Sequence, residues 1–122
     1  MARFKQIRDG RSNLTVVEVY GDVGNEEIKT ILDWPPDVSP HSKTVFDFRF
    51  ADLSALSSTH IRKAVGEIRL LSGPDCKAAL VFSNPADYSI GKIISSAFSG
   101  RGYLANIRGF YNLHRAKDWL LF

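Results

Sequence analysis

Thr44-Val45-Phe46-Asp47-Phe48-Arg49-Phe50 and Ala78-Ala79-Leu80-Val81-Phe82, with Ile61, Ala64, Val65, Ile68 and Leu71 between them, decide the fold of this chain. In the first run the period of two puts Phe46, Phe48 and Phe50 on one face of a strand and Val45, Asp47 and Arg49 on the other. The middle set recurs at i, i+3, i+4, i+7 and i+10, which predicts an amphipathic helix. A Ser57 or Ser58 cap opens it, and Gly73-Pro74 closes it. The last run is apolar at every position and predicts a central strand covered on both faces. Strand, helix and strand in that order make a crossover unit with parallel strands.

Working towards the N-terminus, Ala51 to Ser58 is a polar connection in which Leu53 and Leu56 tuck inward. Before Thr44 lies a loop, Asp37 to Ser42, preceded by Pro35-Pro36, which stop a helix because proline has no amide hydrogen to donate. That helix carries Ile28, Ile31 and Leu32 at helical spacing. Asn25 is its expected N-cap, and Glu26 and Glu27 lie in its first turn, where the helix dipole favours negative charge. Gly21-Asp22-Val23-Gly24 separates it from Leu14 to Tyr20, a β-rich run that forms a hairpin with Phe4 to Arg8 across Asp9-Gly10-Arg11-Ser12.

Towards the C-terminus, Asn84-Pro85 is an N-cap with proline at the first helical position. The helix runs through Ile90, Ile93, Ile94 and Ala97 and stops at Gly100. Tyr103 to Phe110 holds the last strand, and Asn112 caps a final helix whose Ala116, Trp119 and Leu120 face the core. The order is β-β-α-β-α-β-α-β-α. This is an α/β chain with a mixed, mostly parallel sheet of about five strands and about four helices. No repeat or linker divides it, so residues 1–122 read as one domain.

Composition narrows the function classes. Of 122 residues, 44% are hydrophobic and 24% charged, which supports a packed core and excludes a disordered chain. Cys76, the lone cysteine, cannot form an internal disulfide and reads as a small buried hydrophobe in a strand. The net charge is +3. Arg3, Lys5, Arg8 and Arg11 supply part of the excess, but the other cations are scattered among acids, which argues for a solvated edge and against nucleic acid. The first residues lack the apolar core of a signal peptide and no run is long enough to span a bilayer, so the cytoplasm is the expected location. The Asn13-Leu14-Thr15 sequon then has no role.

Few residues carry chemistry. His41, His60 and His114 show no metal-ligand spacing. Asp47 and Arg49 read as a strand-face pair of opposite charges. Gly100-Arg101-Gly102 lacks a third glycine and precedes a strand, so it is not a nucleotide fingerprint. Trp34 and Trp119 end helices and pack on the sheet. Ser57, Ser58 and Thr59 read either as a helix cap with polar neighbours or as a phosphorylation site, since phosphate at a helix start meets unpaired amides. With no nucleophile–base pair, metal cluster or phosphate loop, no enzyme activity, cofactor or metal is expected.

Two stretches carry a resemblance. Val45-Phe46-Asp47-Phe48-Arg49-Phe50-Ala51-Asp52-Leu53-Ser54-Ala55-Leu56-Ser57 resembles the strand and loop of the bacterial STAS/SpoIIAA-like proteins, where a D-R-x-A-D-L-S-x-L-S string is common. Ile107 to Leu120 resembles that family's last strand and helix, with its V-F-x-x-x-x-x-A-x-x-W-L pattern. The element order agrees over nearly the whole chain. The resemblance implies a module that binds a partner protein and is switched by phosphorylation of a serine at the start of the second helix. The family's D-S-S-G-L motif aligns with Ser57-Ser58-Thr59-His60-Ile61, with Ser57 in place of the aspartate and His60-Ile61 in place of the Gly-Leu step. Ser58 then takes the phospho-serine position.

Asp52, Ser54, Ser57, Ser58 and His60 are therefore the expected partner-facing site, at the end of a parallel strand where α/β folds place their sites. The expected function is a non-enzymatic regulatory or protein-binding module, with a homodimer left open. Similarity to the lipid-transfer fold leaves a second reading, a small apolar ligand under the helices. A third is an enzyme in which Asp47, Asp52 or His60 converge.

Overall fold

The periodicities translate into nine elements in the computed structural model, which describes residues 2–9, 14–32, 43–67, 77–99 and 107–121. The strands are β1 (Arg3–Asp9), β2 (Leu14–Asp22), β3 (Lys43–Asp52), β4 (Lys77–Val81) and β5 (Ile107–Phe110). The helices are α1 (Asn25–Leu32), α2 (Ser58–Glu67), α3 (Pro85–Ser99) and α4 (Leu113–Leu121). The expected positions Cys76, Trp34, His41, Ile68, Leu71, Gly100-Arg101-Gly102 and Tyr103 lie outside the described residues.

The strands lie in sequence order, β1-β2-β3-β4-β5. β1 pairs antiparallel with β2, and each later strand runs parallel to its predecessor. That order governs the layers. Successive right-handed crossovers that always step the same way place their helices on the same face. Ile28, Ile31, Leu32, Ile61, Ala64, Val65 and Ile94, from α1, α2 and α3, accordingly share one core with Val17, Val19, Phe46, Phe48, Leu80 and Phe82. Among the described residues the opposite face receives α4 alone, whose Ala116 and Leu120 pack on Leu14, Val16, Val45, Ala79 and Val81.

Ala78 to Phe82 is fully buried, as its unbroken apolar run requires. β4 is an inner strand between β3 and β5, while β3 takes the middle of the sheet. Trp119 is only half-buried, against Phe110 at 5.7 Å between ring centroids and beneath the Lys77 ammonium at 5.4 Å.

One expectation fails in an informative way. Phe46 and Phe48 are buried, but Phe50 is 54% exposed and does not share their face. Glu18 pairs with Asp47, and the next paired position joins Tyr20 to Phe50, so β3 carries one more residue than β2 across this interval. Such a bulge reverses the alternation beyond it. Phe50 consequently turns to the α4 side and stacks on Tyr20 at 5.5 Å between centroids.

Candidate functional site

Asp52, Ser54, Ser57, Ser58 and His60 all belong to the crossover that leaves β3 and enters α2, beside the start of α1. The Val23 amide donates to the Asp52 carbonyl at 2.9 Å, tying the end of β2 to the end of β3. Gly21, with a φ of 84°, turns β2 towards α1 in a conformation only glycine takes without strain.

Two hydrogen-bonded groups organise the loop. In the first, Asp52 Oδ1 accepts from the Ser54 amide at 2.9 Å and from the Ser54 hydroxyl at 2.6 Å. These bonds, the hydroxyl foremost, hold the Asp52 carboxyl below the usual aspartate range, and the group stays exposed and ionised. In the second, Ser57 is the N-cap of α2. Its carbonyl accepts the Ile61 amide and its hydroxyl oxygen accepts the His60 amide at 3.3 Å. The Ser57 hydroxyl also lies 2.6 Å from His60 Nδ1. Either the hydroxyl or the ring nitrogen donates in this contact, according to the imidazole tautomer.

The N-caps distribute differently from the expectation. Asn25 was the expected cap of α1, but Gly24 occupies that position. Its carbonyl accepts the Glu27 and Ile28 amides, and Glu27 reaches back to the Gly24 amide at 3.1 Å. Asn25 is released for another task, and its Oδ1 accepts the Ser57 amide at 3.1 Å. This bond braces the α2 loop against α1. Sequence reasoning missed Asn25 because a cap and a brace use the same side-chain oxygen, and only the tertiary approach of the loop chooses between them. Asn84 and Asn112 cap α3 and α4 as their positions predict, accepting from the Asp87 and Arg115 amides.

Ser58 and Thr59 open α2 with exposed side chains, and Arg62 and Lys63 follow on the exposed helix surface. An open groove of about 970 Å³ runs from Gly24 and Asn25 past His60 to Ala64, with Lys29 and Glu67 bridging α1 and α2 at 3.4 Å. Its walls carry Glu26, Glu27, Lys29 and Lys63, so it differs from the dry apolar chamber that a lipid would need.

The residues of the enzyme reading do not converge. Asp47 is fully buried on the α4 side of the sheet, where Arg49 donates to it from Nε at 2.9 Å and from Nη2 at 2.8 Å. Asp52 is exposed at the end of β3 and bonded to Ser54, whereas His60 lies in the first turn of α2 and contacts Ser57. Among the described residues no three of His, Cys, Asp and Glu are placed to hold a metal ion, and no helix is long and apolar enough to cross a membrane.

No protein-family profile and no curated protein sequence matches the chain. Among solved structures it is similar to an uncharacterised protein of the DUF3478 family with a SpoIIAA-like fold, from Shewanella loihica PV-4. The match covers 98% of this chain and 93% of the other, at 13% identity and a TM-score of 0.57. At that identity the likeness speaks to fold, and the fold is SpoIIAA-like: a five-stranded mixed sheet with four helices.

Proposed function

We propose that this SpoIIAA-like domain is a non-enzymatic regulatory module that binds a partner protein through the Asp52–His60 loop and is switched by phosphorylation of Ser58. The observation that carries the reading is the division of labour between adjacent serines. Ser57 is spent as the cap of α2, braced by Asn25 and bonded to His60, whereas Ser58 stands exposed at the first helical position. A phosphate there would add nearly two negative charges beside the positive end of the helix dipole, near His60 and Arg62. The helix tolerates such a charge, so the surface potential would change while the fold survives. Fold likeness alone does not carry function, so the reading rests on the arrangement of this loop.

The test compares the parent with Ser58→Ala and Ser58→Asp. Quantitative affinity capture from the native source should return a partner whose recovery differs between the alanine and aspartate variants. The aspartate variant should melt within about 1 kcal/mol of the parent. Identical partners in identical amounts for all three would reduce Ser58 to an ordinary first-turn residue.

A further inference from the structure

The march of the strands in sequence order has a cost on the face that the crossovers leave behind. Among the described residues three helices cover one side of the sheet, but α4 alone serves the other, packing over β3, β4 and β5 and reaching the start of β2. The strip formed by β1, the second half of β2 and the end of β3 lies beside α4. The pairing of Ile7 with Val16, Lys5 with Glu18, Arg3 with Tyr20 and Tyr20 with Phe50 places all these residues on this face. Ile7 is 44% exposed and Phe50 54%. Strands stand about 4.8 Å apart, so two strand spacings make a strip about one helix diameter wide.

The strip is also prepared electrostatically. Asp47 is completely buried, yet it gives both carboxylate oxygens to Arg49, whose own amide donates to Oδ1 at 3.1 Å as well. A buried ion pair of this kind adds little net stability over apolar packing. Its effect is to hold a guanidinium, one third exposed, in a fixed position 5.3 Å over the Phe50 ring. Arginine and aromatic anchors held in place before binding are the chemistry of interface hot spots. Arg3 and Lys5 extend the positive character along β1, with Glu18 half-buried among them.

We propose that this strip is a second docking surface, distinct from the α2 loop and on the opposite side of the sheet, and that its occupant is one amphipathic helix of a partner protein. The partner's apolar stripe covers Ile7, Tyr20 and Phe50, and carboxylates flanking that stripe meet Arg3, Lys5 and Arg49. The helix lies beside α4 and completes the layer that the topology leaves half-built.

Two synthetic helical peptides with the same apolar stripe, one flanked by glutamates and one by lysines, provide the probe. Fluorescence anisotropy should give the glutamate peptide a Kd of about micromolar order, at least about tenfold tighter than the lysine peptide. Amide shifts in NMR spectra should map it to Lys5, Tyr20 and Phe50. Phe50→Ser should weaken it by about tenfold or more, and a combined Arg3→Glu/Lys5→Glu variant should reverse the preference between peptides. Ile7→Ser serves as the alternative if Phe50→Ser does not fold. Ser58→Asp should leave the affinity unchanged, which separates this surface from the loop. Equal affinity for the two peptides overturns the proposal, as does indifference to Phe50→Ser or a shift map centred on Asn25 and His60. So would Phe50-dependent dimerisation of the chain alone in sedimentation, or Phe50-dependent binding to vesicles containing phosphatidylglycerol. Those outcomes would assign the face to a second copy or to a lipid surface.

Discussion

Ser57 and Ser58 are chemically identical neighbours that should respond differently to alanine. Ser57 accepts the His60 amide and holds the cap, so Ser57→Ala should cost about 1 kcal/mol in urea melts. Ser58→Ala should stay within about 0.5 kcal/mol, because it removes an exposed hydroxyl from the first turn. Equal losses would mean that the cap is shared. The Asp47–Arg49 pair should show a second asymmetry. Arg49→Ala leaves a fully buried carboxylate without its guanidinium and should cost about 3 kcal/mol or more. Asp47→Asn leaves a guanidinium that already reaches solvent, and the amide can still accept, so about 1–2 kcal/mol is expected. Melts in which the asparagine variant is the weaker of the two would overturn this ordering.

Two element-scale contacts make further predictions. At the start of α1, Glu27 accepts the Ala2 amide at 2.8 Å as well as that of Gly24. Those bonds, the Ala2 amide foremost, hold its carboxyl below the usual glutamate range. A depressed folded-state pKa contributes stability that is fully present above the unfolded value of about 4.3. That contribution is lost as pH falls through the depressed value. Glu27→Gln should therefore be less stable than the parent at pH 7, and the gap should close as melts are repeated below about pH 4. A gap independent of pH would point to packing instead. In α3, a β-carbon on the buried Gly91 would come within 2.4 Å of the Phe82 ring. That ring is fully buried, stacked on Phe48 and edge-on to Tyr88, and has little room to give. Gly91→Ala should therefore destabilise by about 1–2 kcal/mol, even though alanine is the better helix former. A more stable alanine variant in urea melts would show that α3 slides freely over β4.

At the scale of the whole molecule, β4 is one of three strands, with β2 and β3, that supply buried side chains to both cores. Leu80 belongs to the core under α1–α3, while Ala79 and Val81 belong to the core under α4. Leu80→Asp places an unpaired charge in the first of these and costs several kcal/mol, against a stability of about 5–15 kcal/mol for a domain of this kind. The variant should lose its cooperative thermal transition by circular dichroism, and a folded, cooperative Leu80→Asp protein would count against the packing described. The same topology that buries β4 so completely leaves β1 and the end of β2 short of cover among the described residues, where α4 is the one helix on that face.

Local pattern was enough to determine the element order, the antiparallel opening hairpin, the buried run Ala78 to Phe82 and the caps at Asn84 and Asn112. Each of these depends on spacing along a few residues, and spacing is written in the chain. The loop at Asp52, Ser54, Ser57, Ser58 and His60 was legible for the same reason, as a polar connection between a strand and a helix. Phe50, Asn25 and Asp47 were not. Phe50 changes face because β3 carries one residue more than β2, and a bulge exists only between two strands in register. Asn25 braces Ser57 rather than capping its own helix because α2 comes within reach of α1. Asp47 could be read as half of a charge pair, but its complete burial depends on what covers the sheet. Periodicity says which residues can share a face, whereas the contacts between elements decide what that face meets.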